Sequence, residues 1–480
     1  MQPELKPPPN KYSLLVVLSG VFTAIFAIAG LTWLANYLAP RPEQIAKETV
    51  KRAAVEPEAT PESAFALQDS QSISLPGNKV TSKELKATKV PYIKAKSSLT
   101  TEELEVAQVA WKYFEQNWNE ETGLVNSADK FPAVTLWDQS AAIAALVAAK
   151  ELELITTKEF NRKLETTLKT LTKLELYNDE LPNKVYNSQT LIPLDYGELE
   201  EQAEIGWSAI DLGRMAIWLK IIGAKYPQHK QTADAVWQAW DVERLVKNGD
   251  MYGTSVAEGK EQYHQEGRLG YENYAAFGLK LWGLKVAKAL DYEDKAAFVN
   301  LYGVGTPYDI RDAQNSGANN YVLSEPYFLD GIETGFQALP KAYSDRVLAA
   351  QEARYDNTNQ LTAITEDNLD REPYFVYNTL YANGKPWGTI TDKNDSYDYL
   401  RFLSSKAAIG WHILYDTAYT SKLFDFVVEN LESDSGWYNG YYETLQEPNK
   451  ALTANNNGVI LETLLYKQVG KPLLIWAGVE

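Results

Sequence analysis

Eleven segments with apolar residues at helical spacing follow one another from about residue 99 onward, and this succession narrows the possible folds most. They lie at 100–118, 138–153, 158–174, 207–224, 230–246, 271–289, 328–339, 343–358, 397–414, 417–431 and 456–468. An apolar stripe recurring every three to four residues has to be buried against another element. Several segments form adjacent pairs with short linkers, as αα-hairpins do. Between the pairs lie long stretches rich in glycine and aromatics, at 176–206, 248–270, 301–327, 359–396 and 433–455. Loops beyond about 12–15 residues are uncommon unless functional or disordered, and the aromatic content argues against disorder. Short strands are expected in MYGTSV (251–256) and LTAITEDNLDREPYFVYNTLY (361–381). Paired helices alternating with long loops predict an all-α fold, an (α/α)6-type toroid with long loops and a few short β-strands. No repeat of fixed length argues for a solenoid.

The N-terminal part differs in kind. No charged residue lies between Lys11 and Arg41. Residues 13–38 are long and apolar enough to span a bilayer as one helix, with Trp33 and Tyr37 near one end. The expected organisation is a short tail (1–12), a transmembrane signal anchor (13–38), a flexible tether (39–98) and the toroid domain (99–480). Lys6 and Lys11 precede the span, and Arg41, Lys47, Lys51 and Arg52 follow it. Long C-terminal domains translocate largely regardless of such charges. The reading is therefore a single-pass protein of the inner (plasma) membrane, touching the lipid bilayer through 13–38, with its large domain periplasmic or extracytoplasmic.

Composition excludes several chemistries. The chain has 46 Lys+Arg against 64 Asp+Glu, a net charge of −18, and no basic patch, so nucleic acid is not an expected partner. It has no cysteine and only His229, His264 and His412. Thiolate chemistry is excluded and a histidine-rich metal site is implausible. DKNDSYD (392–398) lacks calcium-loop spacing. No phosphate loop, nucleophile elbow, zinc-protease motif or dinucleotide fingerprint occurs. Neither a metal nor a cofactor is expected.

What remains is acids among aromatics. In VTLWDQSAAIAALVAAKELELI (134–155), Trp137 and Asp138 sit where a helix begins, with Asp138 suited to cap it. In EIGWSAIDLGRMAIWLKIIG (204–223), Trp207, Asp211 and Arg214 recur at spacings of four and three, and Gly213 permits close packing. QYHQEGRLGYENYAAFGLKLWG (262–283) places Glu266 and Glu272 around a glycine-containing turn with tyrosines nearby. NYVLSEPYFLDGIETGF (320–336) carries Glu325, Asp330 and Glu333, and ITEDNLDREPYFVYNTLYANGKPW (364–387) carries Glu366, Asp367 and Asp370. DSGWYNGYYET (434–444) offers Trp437, Tyr438, Tyr441, Tyr442 and Glu443, and Asn455, Asn456 and Asn457 follow at a helix start. Each acid has an ordinary alternative as a helix cap or an ion-pair partner. Two carboxylates facing each other in an aromatic cleft are also what glycoside hydrolysis requires. Trp137, Trp207, Glu266, Glu325, Asp330, Trp437, Tyr441, Tyr442, Asn456 and Asn457 are the candidate substrate-binding residues.

LWDQSAAIAALVAAKELELI, LPNKVYN, GWSAIDLGR, EGRLGYENYAAFGLKLWG and SGWYNGYYETLQEPNKALTANNNGVILETLLYK resemble the bacterial family known as domain of unknown function 3131. The resemblance runs from about residue 100 to the C-terminus and brings no activity with it. More distantly, GWYNGYYE (436–443) is similar to the G-x-Y-G-F-Y-E stretch of glucoamylase-like domains, which include β-1,2-glucan-processing enzymes. GRLGYENY is similar to that group's Ser-Glu-Ser segment, with Tyr271 and Asn273 standing where the group has serines. That resemblance implies an (α/α) toroid using carboxylates without a metal, with Glu272 as general acid and Glu443 as a cleft carboxylate.

The expected function is a membrane-anchored glycoside hydrolase or transglycosylase acting on an envelope or extracellular glucan. Glu272 would be the acid, and Asp138, Asp211 or Glu443 the base. The alternative is a non-catalytic polysaccharide-binding protein of an export or assembly complex. A uronate lyase built on Tyr263 and His264 is a third reading.

Overall fold

The computed structural model describes residues 98–479 except 198, 200, 258 and 337. The expected anchor and nearly all of the tether lie outside the described residues. Among the described residues, no helix is long and apolar enough to cross a membrane.

Eleven helices of nine residues or more occur among the described residues. They are α1 (Thr101–Asn117), α2 (Leu136–Glu151), α3 (Thr157–Leu171), α4 (Ala209–Lys225), α5 (Lys230–Gln238), α6 (Tyr271–Leu281), α7 (Glu325–Glu333), α8 (Ala338–Thr358), α9 (Ser405–Tyr415), α10 (Ala418–Asn430) and α11 (Ala454–Val469). Six of them close a ring: α2 packs on α4, α4 on α6, α6 on α7, α7 on α9, α9 on α11 and α11 back on α2. The remaining five lie outside, α3 against α2 and α5, α5 against α4, α8 against α7, α10 against α9 and α1 against α11. The sixth outer place, between α6 and α7 in the chain, is taken by the β-hairpin Ala296–Leu301/Val304–Asp309, which packs on α8.

The ring helices are apolar nearly all round, as helices walled on both sides must be. In α2 the run from Gln139 to Ala149 is buried, and in α4 Leu212 to Leu219 is buried. α4 and α6 cross unusually closely. A Cβ on Gly278 would stand 2.0 Å from the Gly213 carbonyl oxygen, and one on Gly213 would stand 2.6 Å from the Ala275 Cβ. Gly278→Ala is therefore expected to force the two helices apart and cost about 1–3 kcal/mol. Chemical denaturation should show this as a lowered midpoint with an unchanged slope.

Boundaries differ from the sequence expectation where tertiary contacts intervene. The segment expected from 397 begins as helix only at Ser405, because Phe402–Ser404 pairs with Gly440–Tyr442 as strand. α6 stops at Leu281, and Gly283 follows with φ +91°. The expected strands are present as Asp250–Ala257, Glu366–Asn368 and Phe375–Asn378. Five ring helices are directly preceded by irregular or β-structure that converges on their N-terminal ends, and α7 follows a loop that pairs through Val322 with Tyr381. That face collects the candidate residues.

Candidate active site

Two neighbouring ring helices begin with the same device. Thr135 caps α2 and accepts the Asp138 N–H at 3.0 Å, while its hydroxyl donates to the Asp138 carboxylate at 2.6 Å. Ser208 caps α4 and accepts the Asp211 N–H at 3.1 Å, while its hydroxyl donates to Asp211 Oδ1 at 2.9 Å. The sequences are T-L-W-D and S-A-I-D. Asp138 therefore stands in the first turn rather than at the cap position expected for it, because the hydroxyl one turn earlier already fills that position. Both aspartates are partly exposed.

Their electrostatic settings differ. Asp211 is pushed up to about 7, first by burial, then by the charge of Glu266, with Asp138 adding to it. Asp138 is also raised by burial, but the opposing influences are hydrogen bonds from Ser127 and Thr135 and the charges of Lys406 and Arg214. Both carboxyls are raised by burial; like charges add to the rise at Asp211, whereas Lys406 and Arg214 offset part of it at Asp138. Glu266 reaches back to accept the Ala209 N–H at the start of α4.

Beneath them lies a buried polar floor. Glu325, the first residue of α7, accepts from Trp137 Nε1 (3.2 Å), Asn455 Nδ2 (2.9 Å) and Lys406 Nζ (2.6 Å). Arg214 lies 4.5 Å from the Trp137 ring centroid and donates to Asn455 (2.7 Å) and Glu462 (3.1 Å). Lys406 also lies 3.5 Å from Asp367. Burial by itself opposes the Lys406 ammonium, but Asp367, Glu325 and Glu366 outweigh it and hold its pKa above the ordinary lysine value. Glu366 accepts from the Tyr271 hydroxyl and from Thr365 Oγ1 (2.6 Å). Glu366 and Asp367 are each raised to about 7, first by burial, with Lys406 pulling the other way.

These shifts have a testable sign. The folded protein keeps protons on Asp211, Glu366 and Asp367 that an unfolded chain, at 3.8 to 4.5, has already released. Their stability contribution is complete below the unfolded values and is lost as pH rises through about 7. The loss is on the order of a few kcal/mol. Thermal melts should give a Tm at pH 5 above that at pH 8 by roughly 5–10 °C. A Tm rising toward pH 8 would contradict the buried-acid account.

Trp137, Asp138, Asp211, Glu266 and Glu325 are thus brought together. Other expected site residues are not. Glu272 is fully buried behind the cleft, bound by Arg311 Nη2 (2.7 Å), Lys295 Nζ (2.9 Å) and Gln265 Nε2 (3.0 Å). With both oxygens held by two cations and an amide, it is placed to tie α6 to its surroundings rather than to donate a proton to a substrate. Its neighbour Tyr271 is the residue of that turn that points to the site. Glu443 is clamped by Arg354, both oxygens at 2.8 Å. Trp207 is buried and donates to the Tyr252 carbonyl; it precedes the cap of α4, so it shares no helix face with Asp211. Trp437 donates to the Val106 carbonyl, and Asn456 and Asn457 bind the Trp437 backbone. Tyr442 is buried against Phe402, and Tyr441 meets Phe426 edge-on. Asp330 sits in the last turns of α7, bound by Thr334, and burial raises it to about 6. The Tyr263 hydroxyl is engaged by the Arg244 carbonyl and His264 is exposed, so that pair assembles no lyase site. Lys406 carries no signal in its local sequence, and Arg214 reads there only as a partner for Asp211. Glu366 and Asp367 join the floor as acids, and Asn455 joins it as an amide donor and acceptor.

The sequence profile of the family described as "Protein of unknown function (DUF3131)" matches residues 105–470. The chain belongs to this family. No curated protein gives a significant sequence match to this DUF3131 member. Several solved structures share its fold. A proposed glucoamylase from Bacteroides caccae superposes with a TM-score of 0.59 at 11% identity, over 79% of this chain and 95% of that one. The endo-β-1,2-glucanase from Chitinophaga pinensis, solved with sophorotriose and glucose, gives 0.57 at 14% identity, over 79% and 95%. A proposed glucoamylase from Bacteroides fragilis gives 0.54 at 14% identity, over 80% and 98%. At these identities the DUF3131 domain shares with them a toroid fold.

Proposed function

We propose that this protein is a glycoside hydrolase, with transglycosylation open to it, acting on a neutral glucan by carboxylate acid/base chemistry. The observation that carries the proposal is the pair of capped aspartates on adjacent ring helices. Asp211, protonated near neutrality, gives its proton to the glycosidic oxygen as the bond to the anomeric carbon breaks. Asp138, kept beside Lys406 and Arg214, acts as the carboxylate that takes a proton from the attacking water or attacks directly. Asp138, Asp211 and Glu266 are partly exposed, while Lys406 and Arg214 are buried and paired. That balance disfavours uronic acid chains. The toroid relatives include an endo-β-1,2-glucanase, so β-1,2-glucan heads the substrate panel. With 13–38 as its anchor, the domain would meet glucan outside the cytoplasm.

The test is incubation of the purified domain with β-1,2-, β-1,3-, β-1,4- and α-linked glucans, reading new reducing ends. Release by the wild type that is lost in Asp211→Asn supports the proposal. Glycan binding without release by the wild type would point to the non-catalytic reading.

A further inference from the structure

Three short strands, Glu366–Asn368, Phe375–Asn378 and Thr389–Ile390, form an antiparallel sheet beside the acids. Its register pairs Glu366 with Tyr377 and Asn368 with Phe375, and Tyr377 with Ile390. Directly paired residues share one face of a sheet, and so do residues two apart along a strand. One face therefore carries Glu366, Tyr377, Asn368 and Phe375. The other carries Val376, packed with Leu369, Leu400, Phe402 and Tyr442. On the first face Tyr377 and Asn368 are partly exposed. Phe375 is 39% exposed. Tyr377 is held flat by Tyr321, with centroids 3.9 Å apart and planes 6° from parallel, and Phe375 meets it edge-on at 5.3 Å. Tyr196, 64% exposed, lies within electrostatic range of Tyr377 and also of Asp211, Glu266 and Asp138.

From these placements we infer that this sheet face is a binding track for an uncharged pyranose chain, leading away from the reacting bond. The inference rests on the hydrolase reading for the position of that bond. Glu366 ties one end of the face to the acids through Tyr271, whose ring meets Trp137 edge-on at 5.3 Å. Tyr377 and then Phe375 follow, with ring centroids 5.3 Å apart and planes 82° apart, a spacing close to one sugar unit that offers each face to a different unit of a chain turning between them. Aromatic faces stack on the C–H faces of pyranoses, and Asn368 is placed to bind a hydroxyl. A ring clamped by a parallel neighbour is already ordered, so little conformational entropy is lost on binding. The track fits a polymer rather than a disaccharide.

The test uses oligomers of the glucan panel, from disaccharide to heptasaccharide, with affinity measured by calorimetry on the Asp211→Asn protein and rates on the wild type. Affinity and kcat/KM should rise with chain length. Phe375→Ala should lower affinity for the longer oligomers about three- to tenfold, with a much smaller change for the disaccharide. Tyr321→Ala, which unclamps Tyr377, should act in the same direction. Equal losses for all lengths, or no loss in either variant, would overturn the track. Hydrolysis independent of chain length would overturn the track and leave the hydrolase standing. Phe375-dependent preference for long chains without hydrolysis would retain the track and remove the hydrolase.

Discussion

Asp211→Asn is expected to lower kcat by about two to four orders of magnitude, the usual contribution of a positioned general acid. The side chains are the same size, and the Asn carbonyl oxygen can still accept the Ser208 hydroxyl, so folding should be retained. The loss should depend on the leaving group. An aryl glycoside whose phenolate departs unprotonated should recover much of the rate in Asp211→Asn, because the missing proton is no longer needed. Asp138→Asn should show no such recovery, since its role is on the water side of the reaction. The pH profile gives a further check. In the wild type the basic limb should fall near 7, where Asp211 loses its proton, and it should be absent from the residual activity of Asp211→Asn. An Asp211→Asn enzyme as active as the wild type would end the assignment.

The second large effect concerns the floor. Arg214→Met is expected to cost about 3–5 kcal/mol of stability. Arg214 is fully buried, lies 3.1 Å from Glu462 and 3.8 Å from Glu325, and supports the Trp137 ring. Removing the guanidinium leaves Glu462 with its remaining neighbour Glu333, another buried carboxyl whose pKa is raised first by burial and then by Glu462 itself. A buried charge without its partner costs more than the pair contributes. The double variant Arg214→Met/Glu462→Met should therefore be more stable than Arg214→Met alone, as replacements of whole buried pairs often are. Urea titrations of the three proteins would decide it. If the single variant is as stable as the wild type, Arg214 does not hold the ring together. Activity should fall in both variants, because Trp137 and Glu325 lose a common support.

The succession of helices was legible because an apolar stripe of period 3.6 is a local property. All eleven helical segments are present, with ends displaced where a strand or a cap intervenes. Asp138 and Asp211 stand out for the same reason, since an acid near a hydroxyl at the start of an apolar helix is a pattern of four residues; which of the two residues caps α2 was not readable from it. Glu272 also lies at the start of an apolar helix, yet its fate is set by Lys295 and Arg311, the latter just beyond the hairpin that occupies the sixth outer place. Nothing near Glu272 in the chain announces those cations. The same holds for Glu443, whose partner Arg354 comes from the far end of α8. Lys406 lies in an apolar helix behind two serines, where a lysine ordinarily points to water. Only the meeting of α7, α9 and the Glu366 strand makes it a buried counter-ion. The alternation of Phe375, Val376, Tyr377 and Asn378 was the available clue to the sheet face, and its pairing with Glu366 required the fold.

The twin caps have a consequence for how such a protein diversifies. The two aspartates are oriented by the hydroxyls that cap their own helices, so on the hydrolase reading the reacting pair belongs to the ring and changes little when the outer segments do. The surface that would read the sugar chain is carried on a separate excursion between α8 and α9. On that reading, one saccharide could be exchanged for another by rewriting that excursion while leaving the two aspartates untouched.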